Sequence, residues 1–206
     1  MSRRPGTAWA RVAALFALLA TVPASAEAPL WSAKAKKPCS LVLELPAGDL
    51  ELRRKRGDAQ VVAEPGQWTV DAVAENDALH MRVAIAEGHA AGDASPVRLE
   101  LPRHCALAVR GGTGRIDIHG RHAAPLEVET TTGEIVLWAE SGADLRVDLA
   151  TSGEMGTDYS IAIEHRHHRE PDKHGVVVLG TGDIAARLAS RRGPVSVLAR
   201  ERANGH

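Results

Sequence analysis

VETTTGEIVLW, residues Val128–Trp138, sets a hydroxyl residue and a glycine ahead of an alternating Ile-x-Leu. The phrase also stands nineteen residues earlier as TGRIDI (Thr113–Ile118) and, shortened, twenty residues later as SGEMG (Ser152–Gly156). Leu126-x-Val128 and Leu145-x-Val147-x-Leu149 fall between these glycines, so each unit carries two short alternating segments and two turns. Alternation puts one set of side chains on one face, the pattern of a half-buried strand. Self-similarity at a fixed period predicts units that stack, because none can bury its apolar face alone. Gly114, Gly133, Gly153, Gly182 and Gly193 read as structural turns, where a missing Cβ frees the backbone. The preceding Thr113, Thr132, Ser152 and Thr181 read as hydroxyls that bond those turns.

Working outward, Leu41, Leu43 and Leu45 alternate, as do Leu79, Met81, Val83 and Ile85, and then Val97, Leu99 and Leu101. The repeat is weaker over 39–101, where a meander of antiparallel hairpins is the alternative. Asp183–Arg191 is the one window with a helical period. The expected fold is all-β: a single-domain, right-handed β-solenoid or β-helix-like stack of short strands over residues 39–198. Only Trp31, Trp68, Trp138 and Tyr159 are aromatic beyond residue 26, which suits a narrow aliphatic core.

The N-terminus reads as a secretory signal peptide. Arg3, Arg4 and Arg11 precede an apolar run, Val12–Val22, and Ala24-Ser25-Ala26 offers the small residues of a cleavage site after Ala26. The run is too short for a permanent membrane span. Residues 27–38 form a polar, Lys-rich linker, and 199–206 a polar tail. Removing 1–26 leaves 22 basic and 26 acidic side chains, a net charge of −4 that argues against a nucleic-acid partner. The expected location is periplasmic or extracellular, with an unidentified envelope protein or polymer as partner. In such an oxidising compartment Cys39 and Cys105 pair as a disulfide, or else stand as two separate buried thiols.

The run VRLELPRHCALAVRGGTGRIDIHG, then PLEVETTTGEIVLW, ADLRVDLATSGEMGTDYSI and HGVVVLGTGDIAARLASRRGPVSVL, resembles the bacterial putative-adhesin domain family of unknown function. The likeness spans about residues 39–198. It implies an extracytoplasmic β-solenoid and brings no catalytic residues.

Three clusters invite a functional reading. His165, His167 and His174, with Asp172 near, could ligate zinc or copper if the run is a strand; a solvated loop is the alternative. Arg53, Arg54, Lys55 and Arg56 form a basic run, either a solvated turn or a contact for an anionic partner. Asp117, Glu134 and Glu154, just beyond their glycines, could line one face with Arg115 as in a small carbohydrate-active β-helix. Gly180-x-Gly182-x-x-Ala185 imitates a dinucleotide fingerprint, but a real one needs a βαβ unit, and only eighteen residues follow Leu188 in a chain read as exported. The expectation is therefore a non-catalytic protein with no cofactor, a metal-binding protein being the alternative.

Overall fold

The alternating segments form strands throughout a computed structural model, which describes residues 29–35, 39–75 and 78–200. The expected signal peptide, Lys36, Lys37 and residues 201–206 lie outside them. The first half lays down β1 (Trp31–Ala33), β2 (Ser40–Leu45), β3 (Leu50–Lys55), β4 (Ala59–Val62), β5 (Trp68–Glu75), β6 (Ala78–Ile85) and β7 (Val97–Pro102). Next come β8 (Ala106–Gly111), β9 (Arg115–His119), β10 (Leu126–Thr130), β11 (Glu134–Ala139) and β12 (Leu145–Thr151). The chain ends with β13 (Met155–Thr157), β14 (Ala162–His165), β15 (Lys173–Leu179), β16 (Ile184–Ser190) and β17 (Val195–Ala199). The fold is all-β. The helical period of Asp183–Arg191 yields to β16, whose Ala186, Leu188 and Ser190 point inward at every second position.

Two mixed sheets share one core. The first runs β1-β4-β7-β3-β9-β11-β17-β13 and the second β14-β15-β12-β16-β10-β8-β2-β6-β5. The chain crosses from the second sheet to the first in six two-strand units: β2–β3, β6–β7, β8–β9, β10–β11, β12–β13 and β16–β17. All pairings between units are parallel. Both sheets hold the units in one spatial order, which departs from sequence order at each end. β6–β7 lies outside β2–β3, and β16–β17 slots between β10–β11 and β12–β13. The second swap follows from the hairpin β14–β15, which covers the outer edge of β12 with antiparallel bonds and leaves its inner edge for β16. At the other end, β4 and then β1 extend the first sheet and β5 the second, all by antiparallel pairing, so antiparallel strands cap the early region but do not build it.

Register aligns the aliphatic residues into ladders. Val97, Leu50, Ile116, Ile135 and Val195 form one row of the first sheet, and Leu99, Leu52, Ile118, Leu137 and Val197 the next. Facing them, Met81, Leu43, Val109, Val128, Leu188 and Leu149 cross the second sheet. All these side chains are buried in one continuous cluster. Each fully buried aliphatic side chain contributes about 1.5–3 kcal/mol.

Three of the five glycine turns serve a purpose other than the expected one. Gly114 and Gly182 have φ of 103° and 74°, but Gly133, Gly153 and Gly193 need no positive φ. What they need is space. A Cβ on Gly114 would strike the carbonyl of Gly48, one on Gly133 that of Gly114, one on Gly193 that of Gly133, and one on Gly153 that of Gly193. This glycine column repeats the strand order β3-β9-β11-β17-β13. The bonding hydroxyls also differ from those expected. Buried Thr130 and Ser190 both donate to the Gly133 carbonyl at 2.9 Å, and buried Thr151 donates to that of Gly193 at 2.5 Å. Gly193→Ala should therefore cost about 2–3 kcal/mol through forced backbone displacement. Gly92→Ala, where a Cβ meets nothing, should stay within about 0.5 kcal/mol. Urea unfolding of the two variants checks the contrast.

Candidate functional site

The outer face of the first sheet is built from the positions that alternate with the core. Counted from each glycine, the fifth residue gives Arg53, His119, Trp138 and Leu198, adjacent in register across β3, β9, β11 and β17. The third gives Glu51, Asp117, Val136 and Ser196. The first includes Arg115 beside Glu134. Two rings thus sit side by side. His119 and Trp138 lie parallel to within 3°, with centroids 6.1 Å apart. Val136, on this outer face, is only 2% exposed.

Charge holds the rings in place. The Trp138 indole Nε1 donates to Asp117 Oδ1 at 3.0 Å, and Arg115 grips both oxygens of Asp117 at 2.6 and 3.0 Å while reaching Glu134 at 3.1 Å. Burial alone would raise the Asp117 carboxyl, but hydrogen bonds from Arg115 and Trp138 outweigh it and hold the group below its ordinary value. Glu51 behaves alike: burial raises it, and Arg53 and Arg98 more than reverse the effect. Half-burial pushes the His119 imidazole down, against the pull of Glu51 and Asp117. A cavity of about 300 Å³ opens beside His119, lined by Glu51, Arg53, Arg54, His119, Glu140 and Arg200. Here Glu140 meets Arg121 at 3.7 Å and Arg200 at 3.4 Å. A larger cleft of about 390 Å³ lies among Trp31, Ala33, Leu41, Ala74 and Leu79.

The expected sites fare unequally. Arg53, Arg54 and Lys55 belong to β3 rather than to a turn, and they split by parity. Arg53 and Lys55 face out, Lys55 pairing with Glu100, whereas Arg54 follows Leu50 and Leu52 inward and is 6% exposed. Arg54 Nε donates to His122 Nδ1 at 3.1 Å, and Nη1 donates to the carbonyls of Pro102 and Cys105 at 3.1 and 2.7 Å. It braces the corner beneath the Pro102–Cys105 turn and is not available to an external anion. Arg56 follows in the turn. Cys39 and Cys105 are joined as a disulfide at the same corner.

The histidine run does not assemble a three-His site. In the hairpin, His165 is opposite Lys173 and Glu164 is opposite His174, so His165 and His174 face opposite sides of the sheet. His167 lies in the connecting turn, and the His174 Nε2 donates to the Pro171 carbonyl at 3.1 Å. No group of three or more His, Cys, Asp or Glu fit to hold a metal occurs among the described residues. Of the three carboxylates, Asp117 and Glu134 meet through Arg115, while β17 stands between β11 and the strand that Glu154 precedes. Gly180 and Gly182 form a turn clasped by Asp144, whose Oδ1 accepts from the backbone of Thr181 and Gly182 at 2.7 and 2.8 Å, and β16 follows where a dinucleotide fold needs a helix.

Trp138, His119, Glu51, Glu140 and Arg200 went unread in the sequence as one site. Aligning the phrases on Gly114 and Gly133 would have set His119 beside Trp138, since each stands five residues beyond its glycine.

No family model matches the chain, and no curated protein matches it. Two solved structures are similar to it. A putative cell adhesion protein from Clostridium sporogenes ATCC 15579 is 9% identical, covering 84% of this chain and 100% of its own, with a TM-score of 0.45. A putative adhesin from Bacteroides fragilis NCTC 9343 is 8% identical, covering 82% of this chain and 95% of its own, with a TM-score of 0.35.

Proposed function

We propose that the protein is an exported, non-catalytic interaction module of the cell envelope, adhesin-like in role, whose binding surface is the outer face of the first sheet. In this reading, residues 1–26 are removed on export, 27–38 are an arm, and the module from residue 39 onward is a right-handed β-solenoid with swapped end units. Parallel two-strand units stacked on one aliphatic core support the solenoid reading. The disulfide supports an oxidising compartment. No helix among the described residues is long and apolar enough to cross a membrane.

The observation that carries the reading is the half-buried His119–Trp138 pair, fixed by Asp117 and bordered by a polar cavity. A scaffold alone has no need of an indole tethered on its outer face; aromatic and Arg side chains held rigidly at a surface are the usual anchors of recognition. A general-acid role for the central carboxylates is disfavoured, because arginines hold Glu51 and Asp117 below their ordinary values. The test is co-sedimentation of residues 27–206 with the envelope fraction. The wild-type chain should sediment, and the double variant His119→Ala, Trp138→Ala should lose about tenfold in affinity while keeping its circular dichroism. Equal sedimentation of the two proteins would refute the surface, and no sedimentation of either would refute the role.

A further inference from the structure

The cavity beside His119 has a charge pattern that the ring pair alone does not explain. Both carboxylates at its rim are already shared by two guanidinium groups, Glu51 by Arg53 and Arg98, Glu140 by Arg121 and Arg200. At the Arg115 end of the face the balance reverses, one arginine serving Asp117 and Glu134. The face is therefore polarised, with its positive end at the cavity. The Arg53 and Arg200 side chains are 50% and 55% exposed, so both can turn toward a ligand; Arg53 would exchange contacts of 2.6 and 2.7 Å to Glu51, and Arg200 a longer one of 3.4 Å to Glu140.

We propose that this cavity is a subsite for a sugar ring bearing an anionic group, within a glycan. The inference rests on reading the outer face as the binding surface. At about 300 Å³ with mostly polar walls, the cavity lies at the lower limit of small-molecule sites and admits one ring rather than an apolar chain. His119 lines the cavity, and its ring, stacked on Trp138, offers a partly apolar surface for the C–H face of a pyranose beside polar groups for the hydroxyls. The carboxylate oxygens of Glu51 and Glu140 are acceptors for hydroxyls. The planar forks of Arg53 and Arg200 suit a carboxylate or a phosphate, which a guanidinium binds through two parallel hydrogen bonds. A neutral ring would leave those forks on their shared carboxylates and gain little from them. Arg54 also lines the cavity, but its Nε and Nη1 are committed to His122 and to two backbone carbonyls, so Arg53 and Arg200 are the exposed forks of the site.

The experiment titrates residues 27–206 by calorimetry and tryptophan fluorescence with three probes: an oligogalacturonate, a sugar phosphate and a neutral oligosaccharide of matched length. Binding of either anionic probe, at least about tenfold tighter than the neutral one, is the expected result, and which one binds identifies the anion as carboxylate or phosphate. Arg53→Gln and Arg200→Gln should each weaken that binding about tenfold, and His119→Ala, which removes the ring that lines the cavity, should weaken it by at least as much. Both arginines are exposed, so the variants should keep the wild-type melting temperature, which is measured alongside. Neutral and anionic probes binding alike, or arginine variants binding like wild type, would overturn the proposal. Failure of all three probes while envelope association still depends on His119 and Trp138 would overturn the anionic-sugar subsite and leave the interaction surface standing.

Discussion

Acidification from about pH 6.5 to about pH 5 should destabilise the protein by roughly 1.4 kcal/mol per pH unit, and His122→Asn should remove most of that slope. His122 is 7% exposed, and burial, then the adjacent Arg54 charge, pushes its imidazole down to about 3 from an ordinary 6.5. Its Nδ1 accepts the Arg54 Nε hydrogen bond, which puts the proton of the neutral ring on Nε2. A second proton would set two donors and two positive charges against each other in a buried corner. Between pH 6.5 and 3 the unfolded chain therefore binds the proton that the folded chain refuses. Stability is complete above 6.5 and is lost as the pH falls. Asparagine keeps a side-chain acceptor for Arg54 and cannot be protonated. His119, also lowered by burial, contributes a smaller effect of the same sign because it is only half buried. Glu51 and Asp117 add theirs only below their ordinary values of 4.5 and 3.8, outside the window. Urea unfolding at about pH 7, about pH 6 and about pH 5 reads the slope directly; parallel slopes for wild type and His122→Asn would show that the corner is already hydrated.

The strands were legible because alternation is local. Leu41-x-Leu43-x-Leu45 and Ile135-x-Leu137 declare their faces without knowledge of a partner, and the nineteen-residue phase carried the same logic between β9 and β11. Parity even held the fate of Arg54: it continues Leu50 and Leu52, so a strand running through the basic run had to bury it. Reading RRKR as a turn hid that, since charge was weighed ahead of period. What no local pattern specifies is which unit lies beside which. β16–β17 repeats the phrase as faithfully as its neighbours, yet its place between β10–β11 and β12–β13 depends on the hairpin β14–β15 occupying the outer edge of β12. The histidines illustrate the same limit. Whether His165 and His174 share a face depends on the register of that hairpin, which offsets them by one residue. The glycine column was half legible: position came from the repeat, but close approach between units, the reason for glycine at 133, 153 and 193, is a property of the stack.

Replacing Cys39 and Cys105 together by serine should cost about 4 kcal/mol, the loop-closure entropy of a link spanning 66 residues. The folded corner should nonetheless survive. Ala106 N donates to the Cys39 carbonyl at 2.9 Å, and Arg54 holds the Cys105 carbonyl at 2.7 Å, so the two segments stay together without the covalent link. The loss should then appear mainly in the unfolded chain, as a lower urea midpoint with outer-face binding intact. Arg54→Met acts on the other state. It strands the Pro102 and Cys105 carbonyls and the His122 Nδ1 in a buried corner, at a cost of about 3 kcal/mol. Because Arg54 is one of the two bonds that hold the corner once the link is gone, the triple variant should lose more than the sum of the two costs. A triple variant that loses no more than that sum would mean that the corner does not depend on Arg54 once the link is gone.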